Sequence, residues 1–340
     1  MADLSAEFRR ALAPWTLGPL QLRNRIIKSA TNEGMAPKTI PSQALVKHHR
    51  SMAAGGVGMT TVAYCAVSMD GRTFPDQVVL NEPTLRHLRV LTDAVHREGA
   101  AASAQITHGG AFNFLPGLST PRPLSACGGF NAAGVLSGRL FKAAMSRDDM
   151  ARITQEFVAA ARRARDAGFD AVELHMGHGY LLSQFLSPVY NHRRDDYGGS
   201  ADARTRYPVE VLRAVLDAVG KTMPVLCKIS MFEGHKRGAT VDDAIVTAQA
   251  LSAAGAHLIV LSAGMNVESP WTIFGSPMPR GAMDDQGSLL MRIAGQVLQW
   301  RQPKIQFHDL YLLEAARRIR GSVSTPVAYL GGAKSVEGIG

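Results

Sequence analysis

Hydrophobic and polar positions follow two spacings along this chain of 340 residues. A spacing of two residues is typical of strands, and a spacing of three to four residues is typical of helices. Residues 15–27 open with two short apolar segments divided by Gly18 and Pro19, which predicts a hairpin leading into a first strand. Further along, the pattern predicts strands at 57–67, 101–107, 171–175, 224–230, 257–262 and 325–330, and helices at 44–54, 85–97, 148–167, 203–219 and 241–254.

The alternation of strand and helix predicts an α/β protein with a parallel sheet. No GxGxxG segment follows the first strand, so the pattern favours a (β/α)₈ TIM barrel with an N-terminal hairpin over a doubly wound sheet. We expect one barrel domain over residues 1–340, with its functional site at the carboxyl ends of the strands. Seven steps are recognisable, and no eighth strand and helix precede Gly340.

A sheet of seven strands would leave two edge strands facing each other across a gap, because only a closed barrel has no free edges. We therefore expect these residues to belong to a longer chain or to associate through the open edge. Two connections are rich in glycine and proline, residues 111–147 and 264–287, and the first far exceeds the roughly 2 to 6 residues typical of α/β units. The first of them is a candidate functional loop.

Composition narrows the classes of function. The chain is 46% hydrophobic with a formal net charge of +9, but its basic residues alternate with carboxylates on the predicted helices, which argues against nucleic acid and for anionic small ligands. Three cysteines without CxxC spacing indicate neither a disulfide framework nor a metal or iron-sulfur site, and they suit a reducing cytoplasm. No signal peptide and no run of about 18 apolar residues is present, so a membrane span is not expected.

Polar side chains interrupt three of the predicted strands. Strict alternation places Gln105 on one face of its strand, Glu173 with His175 on one face of the next, and Lys228 on one face of the strand after that. If the apolar faces pack on the outer helices, these four side chains line the mouth of the barrel. A structural ion pair between Glu173 and Lys228 is the alternative, because a lone buried charge is costly.

A short segment after residues 171–175 concentrates reactive groups. His178 lies three residues beyond His175, and Tyr180 follows two residues later, so a turn at the strand end could direct all three at one small volume. An HxxH pair alone is a weak signal, and a chance pair or two metal ligands on a helix are alternatives.

These segments resemble the Old Yellow Enzyme family of FMN-dependent oxidoreductases, the NADH:flavin oxidoreductase group. The resemblance is carried by HMGHGYLLSQFLSP, which begins at His175, and by NHRRDDYGGS, which begins at Asn191. NRIIKSATNEG, QITHGG and CKIS at the first, third and fifth strands support it. The resemblance implies a TIM barrel in which NADH or NADPH reduces FMN, and the flavin reduces a C=C bond next to a carbonyl.

The resemblance also implies roles for particular residues. His175 and His178 would bind the carbonyl oxygen of the substrate, and Tyr180 would protonate its α-carbon. Lys228 would place positive charge beside the flavin ring, and Gln105 would bond the pyrimidine amides. The other residues expected to hold FMN are Ser29, Ala30, Thr31 and Asn32 at the ring edge, and Gly331 and Gly332 at the phosphate.

Two positions depart from the family pattern. Asn32 stands where Thr or Cys is frequent, and Tyr64 stands where a small residue is frequent against the flavin. The family's eighth strand and its phosphate-binding Gly-Arg pair have no counterpart, so we expect either a longer chain or weak FMN binding together with association through the open edge. The alternatives are a branch that acts on dienoyl thioesters or amines, a flavin-binding barrel without turnover, and a Schiff-base aldolase using Lys228.

Overall fold

The computed structural model describes residues 6–115, 118–277 and 302–335, and residues 293, 296, 297, 299 and 300 between them. The chain begins with helix α1 (Ala6–Leu12), followed by strands β1 (Trp15–Leu17) and β2 (Leu20–Leu22). These two strands pair antiparallel, and Gly18 between them adopts φ of +54°. The predicted hairpin is confirmed, and the short strand β3 (Ile27–Lys28) follows it.

Strands and helices then follow one another along the chain. In order they are α2 (Gln43–Ala54), β4 (Met59–Ala66), α3 (Glu82–His96), β5 (Ala101–Thr107), β6 (Leu124–Ser125), β7 (Gly129–Phe130), β8 (Phe141–Ala144), α4 (Arg147–Asp166), β9 (Ala171–Met176), α5 (Leu181–Leu186), α6 (Ala201–Val219), β10 (Val225–Ser230), α7 (Val241–Ala253), β11 (Leu258–Ser262), α8 (Pro270–Phe274), α9 (Leu313–Ser322) and β12 (Val327–Tyr329).

Capping residues explain where the observed helices differ from the predicted ones. Helix α3 begins three residues before its predicted start, because the Thr84 hydroxyl accepts from the amide of the cap residue Asn81 at 3.3 Å. Helix α6 begins two residues early, because the Ser200 hydroxyl accepts from the amide of Ala203. Such polar caps lie outside the apolar periodicity, so spacing alone places the helix ends poorly.

The main sheet contains the seven predicted strands, all parallel, in the order β12-β11-β10-β9-β5-β4-β3. Strands β3 and β12 are the edges of this sheet within the described part of the chain. A cavity of about 290 Å³ is lined by residues of both edges, including Ile27 and Val327. The sheet curls as a β/α barrel of seven strands, as the sequence predicts.

Two apolar layers hold the sheet. The larger layer lies between the strands and the outer helices, where Phe157, Leu174 and Tyr207 are fully buried. The smaller one fills the amino-terminal end of the barrel interior, where Leu17 and Leu22 of the hairpin pack with apolar residues such as Met59, Ala171 and Leu226. Because the apolar interior occupies this end, the polar residues of the strands collect at the opposite, carboxyl end.

The two long connections contain structure of their own. Strands β6, β8 and β7 form a separate three-stranded sheet within residues 111–147, which the pattern treated as a loop. The predicted loop 264–287 contains α8, and its residues 278–287 lie outside the described residues. No helix in the described ranges is long and apolar enough to cross a membrane.

Candidate active site

Gln105 and Glu173 meet at the carboxyl end of the sheet. They pair in register between β5 and β9, and both are almost fully buried. Gln105 Nε2 donates to Glu173 Oε1 at 2.7 Å, and Gln105 Oε1 accepts from the amide of Tyr64 at 3.2 Å. The shared face predicted from strand alternation is confirmed.

Lys228 donates hydrogen bonds to the loop that follows the first strand. Its Nζ donates to Ser29 Oγ at 3.0 Å and to the carbonyl of Ala30 at 3.2 Å. The alternative of a direct ion pair with Glu173 is not supported, since none of the ion pairs among the described residues joins the two. Burial lowers the pKa of Lys228 and raises the pKa of Glu173, while each charge partly offsets the other's shift.

The remaining residues of that loop lie closer to solvent. Thr31 and Asn32 are exposed, and the Thr31 hydroxyl donates to the carbonyl of Ser29 at 3.4 Å. Asn32 lines a narrow cleft together with Tyr64 and residues of the second strand's loop. Of the four predicted loop residues, the structure therefore brings Ser29 and Ala30 to Lys228 and places Thr31 and Asn32 at the outer edge.

His175, His178 and Tyr180 come together as predicted. The ring centroids of His175 and His178 are 5.1 Å apart, and those of His175 and Tyr180 are 4.5 Å apart. His178 lies in a turn with φ of +61°, a backbone conformation that is uncommon for residues other than glycine. Its amide donates to Ser230 Oγ at 3.1 Å, and its Nε2 lies 2.8 Å from Ser262 Oγ. Two neighbouring strands thus hold the turn in place.

The geometry does not support the metal-site alternative. The HxxH pair spans a strand end and a turn rather than a helix. No group of three or more His, Cys, Asp or Glu residues able to hold a metal occurs in the part of the chain that is described.

Burial keeps all three side chains neutral near pH 7. It lowers the pKa of His178 to about 3 and the pKa of His175 well below the usual value, and the nearby Lys228 adds to both shifts. Burial also raises the pKa of Tyr180 far above the ordinary value for a phenol. Two neutral imidazoles and a phenol can donate hydrogen bonds and a proton without carrying charge into the site.

Sequence reasoning missed part of the site's wall. Phe112 packs edge-on against Tyr180 at 5.6 Å between ring centroids, and the amide of Asn266 donates to the carbonyl of His178 at 3.1 Å. Both residues follow shortly after the ends of strands β5 and β11. Position beyond a strand's carboxyl end is the signal that could have identified them.

Gly331 and Gly332 lie just beyond the end of β12, as expected for the seventh strand's loop. Their φ values are +149° and +78°. A Cβ at Gly331 would come within 2.9 Å of the Leu312 side chain, so the close approach of the loop to that residue requires glycine.

The residues at the sheet end fit a planar anionic ring. Lys228 is buried, yet its hydrogen bonds go to uncharged oxygens, so its charge is available to an anion. On the same face of β5 as Gln105, the buried Ser103 and Thr107 hydroxyls have no hydrogen-bond partner within the described residues. A flavin ring with its polar pyrimidine edge suits such a set of donors.

A β/α barrel with an amide, an ammonium, two neutral imidazoles and a phenol at its carboxyl end belongs to the class of barrel oxidoreductases that bind a flavin. Residues 11–278 match the NADH:flavin oxidoreductase / NADH oxidase family. The chain belongs to this family, whose members use FMN and are reduced by NADH or NADPH, and it is an NAD(P)H:flavin oxidoreductase. The resemblance to Old Yellow Enzyme is confirmed.

Two relatives are similar over most of their length. The chain is 39% identical over 333 residues to the 4,4'-dithiodibutanoate disulfide reductase of Rhodococcus erythropolis, covering 96% of this chain and 80% of that protein. It is 31% identical over 274 residues to the NADPH dehydrogenase of Bacillus subtilis, covering 78% and 77%. In contrast, it spans only 37% of the metal reductase of Desulforamulus reducens, with which it shares 34% identity.

Solved structures confirm the fold. The chain superposes on morphinone reductase in complex with tetrahydroNAD with a TM-score of 0.68 at 21% identity, covering 94% of this chain and 86% of that one. It superposes on the Old Yellow Enzyme homologue from Zymomonas mobilis with a TM-score of 0.67 at 20% identity, covering 94% and 88%.

Proposed function

We propose that this protein reduces the C=C bond of an α,β-unsaturated carbonyl compound with electrons from NADH or NADPH. The observation that carries the proposal is the cluster of three neutral side chains in which the His175 ring lies 5.1 Å from that of His178 and 4.5 Å from that of Tyr180 between centroids. Because the chain belongs to a family of flavin oxidoreductases, a reduced flavin would be the hydride donor for a substrate bound at this cluster.

FMN, when bound, would supply the hydride. Lys228 would provide positive charge beside the ring, and Gln105 would provide an amide for the pyrimidine edge. Ser29, Ala30, Thr31 and Asn32 would hold the ring edge, and Gly331 and Gly332 would offer backbone amides to the phosphate.

The two imidazoles hold the carbonyl oxygen of the substrate. His175 Nδ1 accepts from the amide of Gly177 at 3.4 Å, which leaves the proton on Nε2 for the substrate. When the Ser262 hydroxyl donates to His178 Nε2, the proton of His178 remains on Nδ1, which would be its donor to the substrate. Each donor that stabilises developing enolate charge contributes about 10²- to 10³-fold in rate.

Tyr180 donates the proton to the α-carbon. Its raised pKa keeps the proton on the phenol oxygen until carbanion character develops at that carbon. Hydride arrives at the β-carbon and the proton at the α-carbon, so one C=C bond becomes one C–C bond with two new C–H bonds.

A second candidate is the reduction of a small disulfide, and the disulfide reductase of Rhodococcus erythropolis, at 39% identity, favours it. Two electrons would break the S–S bond, and Tyr180 and solvent would supply the two protons that form the thiols. The same buried donors would then bind sulfur instead of a carbonyl oxygen.

Anaerobic stopped-flow absorbance distinguishes the two candidates. FMN-loaded protein is reduced with NADPH and mixed with 2-cyclohexenone or 4,4'-dithiodibutanoate while flavin reoxidation is followed. We expect reoxidation by the enone, slowed about 10²-fold or more in His175→Ala, His178→Ala and Tyr180→Phe, with NADPH reduction less affected. Tyr197→Phe is the control, because its hydroxyl faces Glu210 rather than the site.

Three results would contradict the proposal. Reoxidation by the disulfide alone favours the second candidate, and reoxidation by neither compound favours a flavin-binding barrel without turnover or an amine-oxidising branch. Unchanged rates in all three variants would remove the roles given to these side chains.

A further inference from the structure

Strand β4 contains an irregularity at the site. Val62 pairs with Ala104 and Cys65 pairs with Ile106, so Ala63 and Tyr64 together stand opposite the single residue Gln105. Two residues opposite one is a β-bulge, which redirects side chains and is frequent beside active sites. The bulge therefore sets the direction of the Tyr64 side chain.

Side-chain hydrogen bonds fix the backbone of the bulge on both sides. The amide of Tyr64 donates to Gln105 Oε1 at 3.2 Å, and its carbonyl accepts from Gln77 Nε2 at 2.6 Å. The amide of Ala63 donates to Glu33 Oε2 at 3.0 Å. The direction of the Tyr64 ring is thus built into the fold rather than left to a free loop.

The ring of Tyr64 lies against the proposed proton donor. Its centroid is 5.6 Å from that of Tyr180 with an interplanar angle of 35°, and both rings are at least nine-tenths buried. Phe112 packs on Tyr180 at the same centroid distance but nearly perpendicular. Tyr64 and Phe112 therefore both pack against the Tyr180 ring.

The position of the Tyr64 ring is not set by a hydrogen bond of its hydroxyl. Within the described part of the chain it forms no hydrogen bond, and burial with the nearby Tyr180 and Glu33 raises its pKa, so it remains an uncharged phenol. A buried aromatic ring without a structural hydrogen bond contributes shape and apolar surface.

We infer that Tyr64 determines substrate size, closing the space beside Tyr180 so that the site admits unsubstituted rings and excludes rings with added methyl groups. The enone substrates of this inference rest on the proposed function, whereas its phenol-binding test does not. Removing the ring opens the space, whereas removing only the hydroxyl leaves it closed.

The test compares Tyr64→Ala, Tyr64→Leu and Tyr64→Phe in the FMN-loaded protein, with Tyr197→Phe as control. Two pairs of probes are used, and the members of each pair differ only in methyl groups. The enones 2-cyclohexenone and 3,5,5-trimethyl-2-cyclohexenone measure turnover, and phenol and 3,5-dimethylphenol measure binding followed by flavin absorbance. We expect the Ala variant to raise the kcat/KM of the trimethyl compound relative to cyclohexenone by tenfold or more. The ratio of phenol dissociation constants shifts in the same direction.

Tyr64→Leu should fall between Ala and wild type, and Tyr64→Phe should stay within twofold of wild type in both ratios. Ratios in folded, FMN-loaded Ala and Leu variants that equal those of wild type would overturn the inference. If wild type reduces neither enone but the phenol ratio shifts in the Ala variant, the proposed function fails and the size selection stands. If the phenol ratio in the Ala variant changes by twofold or less while enone turnover is normal, the size selection fails and the proposed function stands.

Discussion

The pKa of histidine is shifted in opposite directions at two places in this protein. Burial lowers the pKa of His178 to about 3 at the site, whereas a hydrogen bond from His96 Nε2 to Asp170 Oδ2 at 2.7 Å raises the pKa of His96 on the surface. The first shift keeps an imidazole neutral for hydrogen bonding. The second makes the stability of the link between α3 and β9 depend on pH.

We expect His96→Gln to destabilise the protein more at pH 5.5 than at pH 9. Because the folded pKa of His96 is raised, its contribution is complete below the unfolded value of about 6.5 and is lost as the pH rises through the raised value. The side chain is 39% exposed, so solvent screening limits the effect to about 0.5 to 1 kcal/mol at the lower pH. Urea unfolding at the two pH values measures it, and an equal loss at both would show that the charge has no role.

The connection from α5 to α6 is held by side chains rather than by regular structure. Asn191 Nδ2 donates to the carbonyls of Phe185 and Tyr197 at 2.7 Å each, and its Oδ1 accepts from the amide of Arg193. Arg193 Nη1 donates to the carbonyls of Ala126 and Met145 at 2.9 Å. This loop therefore joins the barrel to the small sheet within residues 111–147, and the polar run after Asn191 braces it.

Asn191→Ala should lower the free energy of unfolding by about 2 to 3 kcal/mol, because two buried carbonyls lose their donors. Arg194→Ala is the control, since that side chain is exposed and its loss should stay within about 0.5 kcal/mol. Urea denaturation of both variants compares them. A loss in Asn191→Ala no larger than in the control would mean that water satisfies the carbonyls.

At the scale of the whole molecule, the three cysteines differ in how deeply they are buried. Cys65 and Cys227 lie in β4 and β10 with no exposed surface, and burial raises the pKa of both thiols. Cys127 is partly exposed in the long connection before α4. A thiol reacts through its exposed thiolate, so the folded sheet protects two of the three.

An Ellman titration of the native protein should therefore detect one reactive thiol, and guanidinium-unfolded protein should give three. Cys127→Ser removes the native reaction and leaves the other two for the unfolded state. Rapid reaction of two or three thiols in native protein would show that the curled sheet opens readily, for instance at the edges β3 and β12.

The local pattern of apolar and polar residues determined most of the helices and strands. Strand β5 was predicted at residues 101–107 and lies at Ala101–Thr107, and β9 extends the predicted 171–175 by one residue. The apolar face of a strand is written in every second residue, so alternation also identified the shared face of Gln105 and Glu173. The motif around His175, His178 and Tyr180 identified the reactive cluster and the family.

Contacts between distant segments decided the rest. The partners of Lys228 are Ser29 and Ala30, 199 and 198 positions away, whereas the sequence offered Glu173, 55 positions away, only as an alternative partner. The bulge that directs Tyr64 at Tyr180 exists only when β4 pairs with β5, and the sheet within residues 111–147 requires its strands to meet. Periodicity reports which face of a segment is buried, whereas the identity of the group it meets depends on how the whole chain folds.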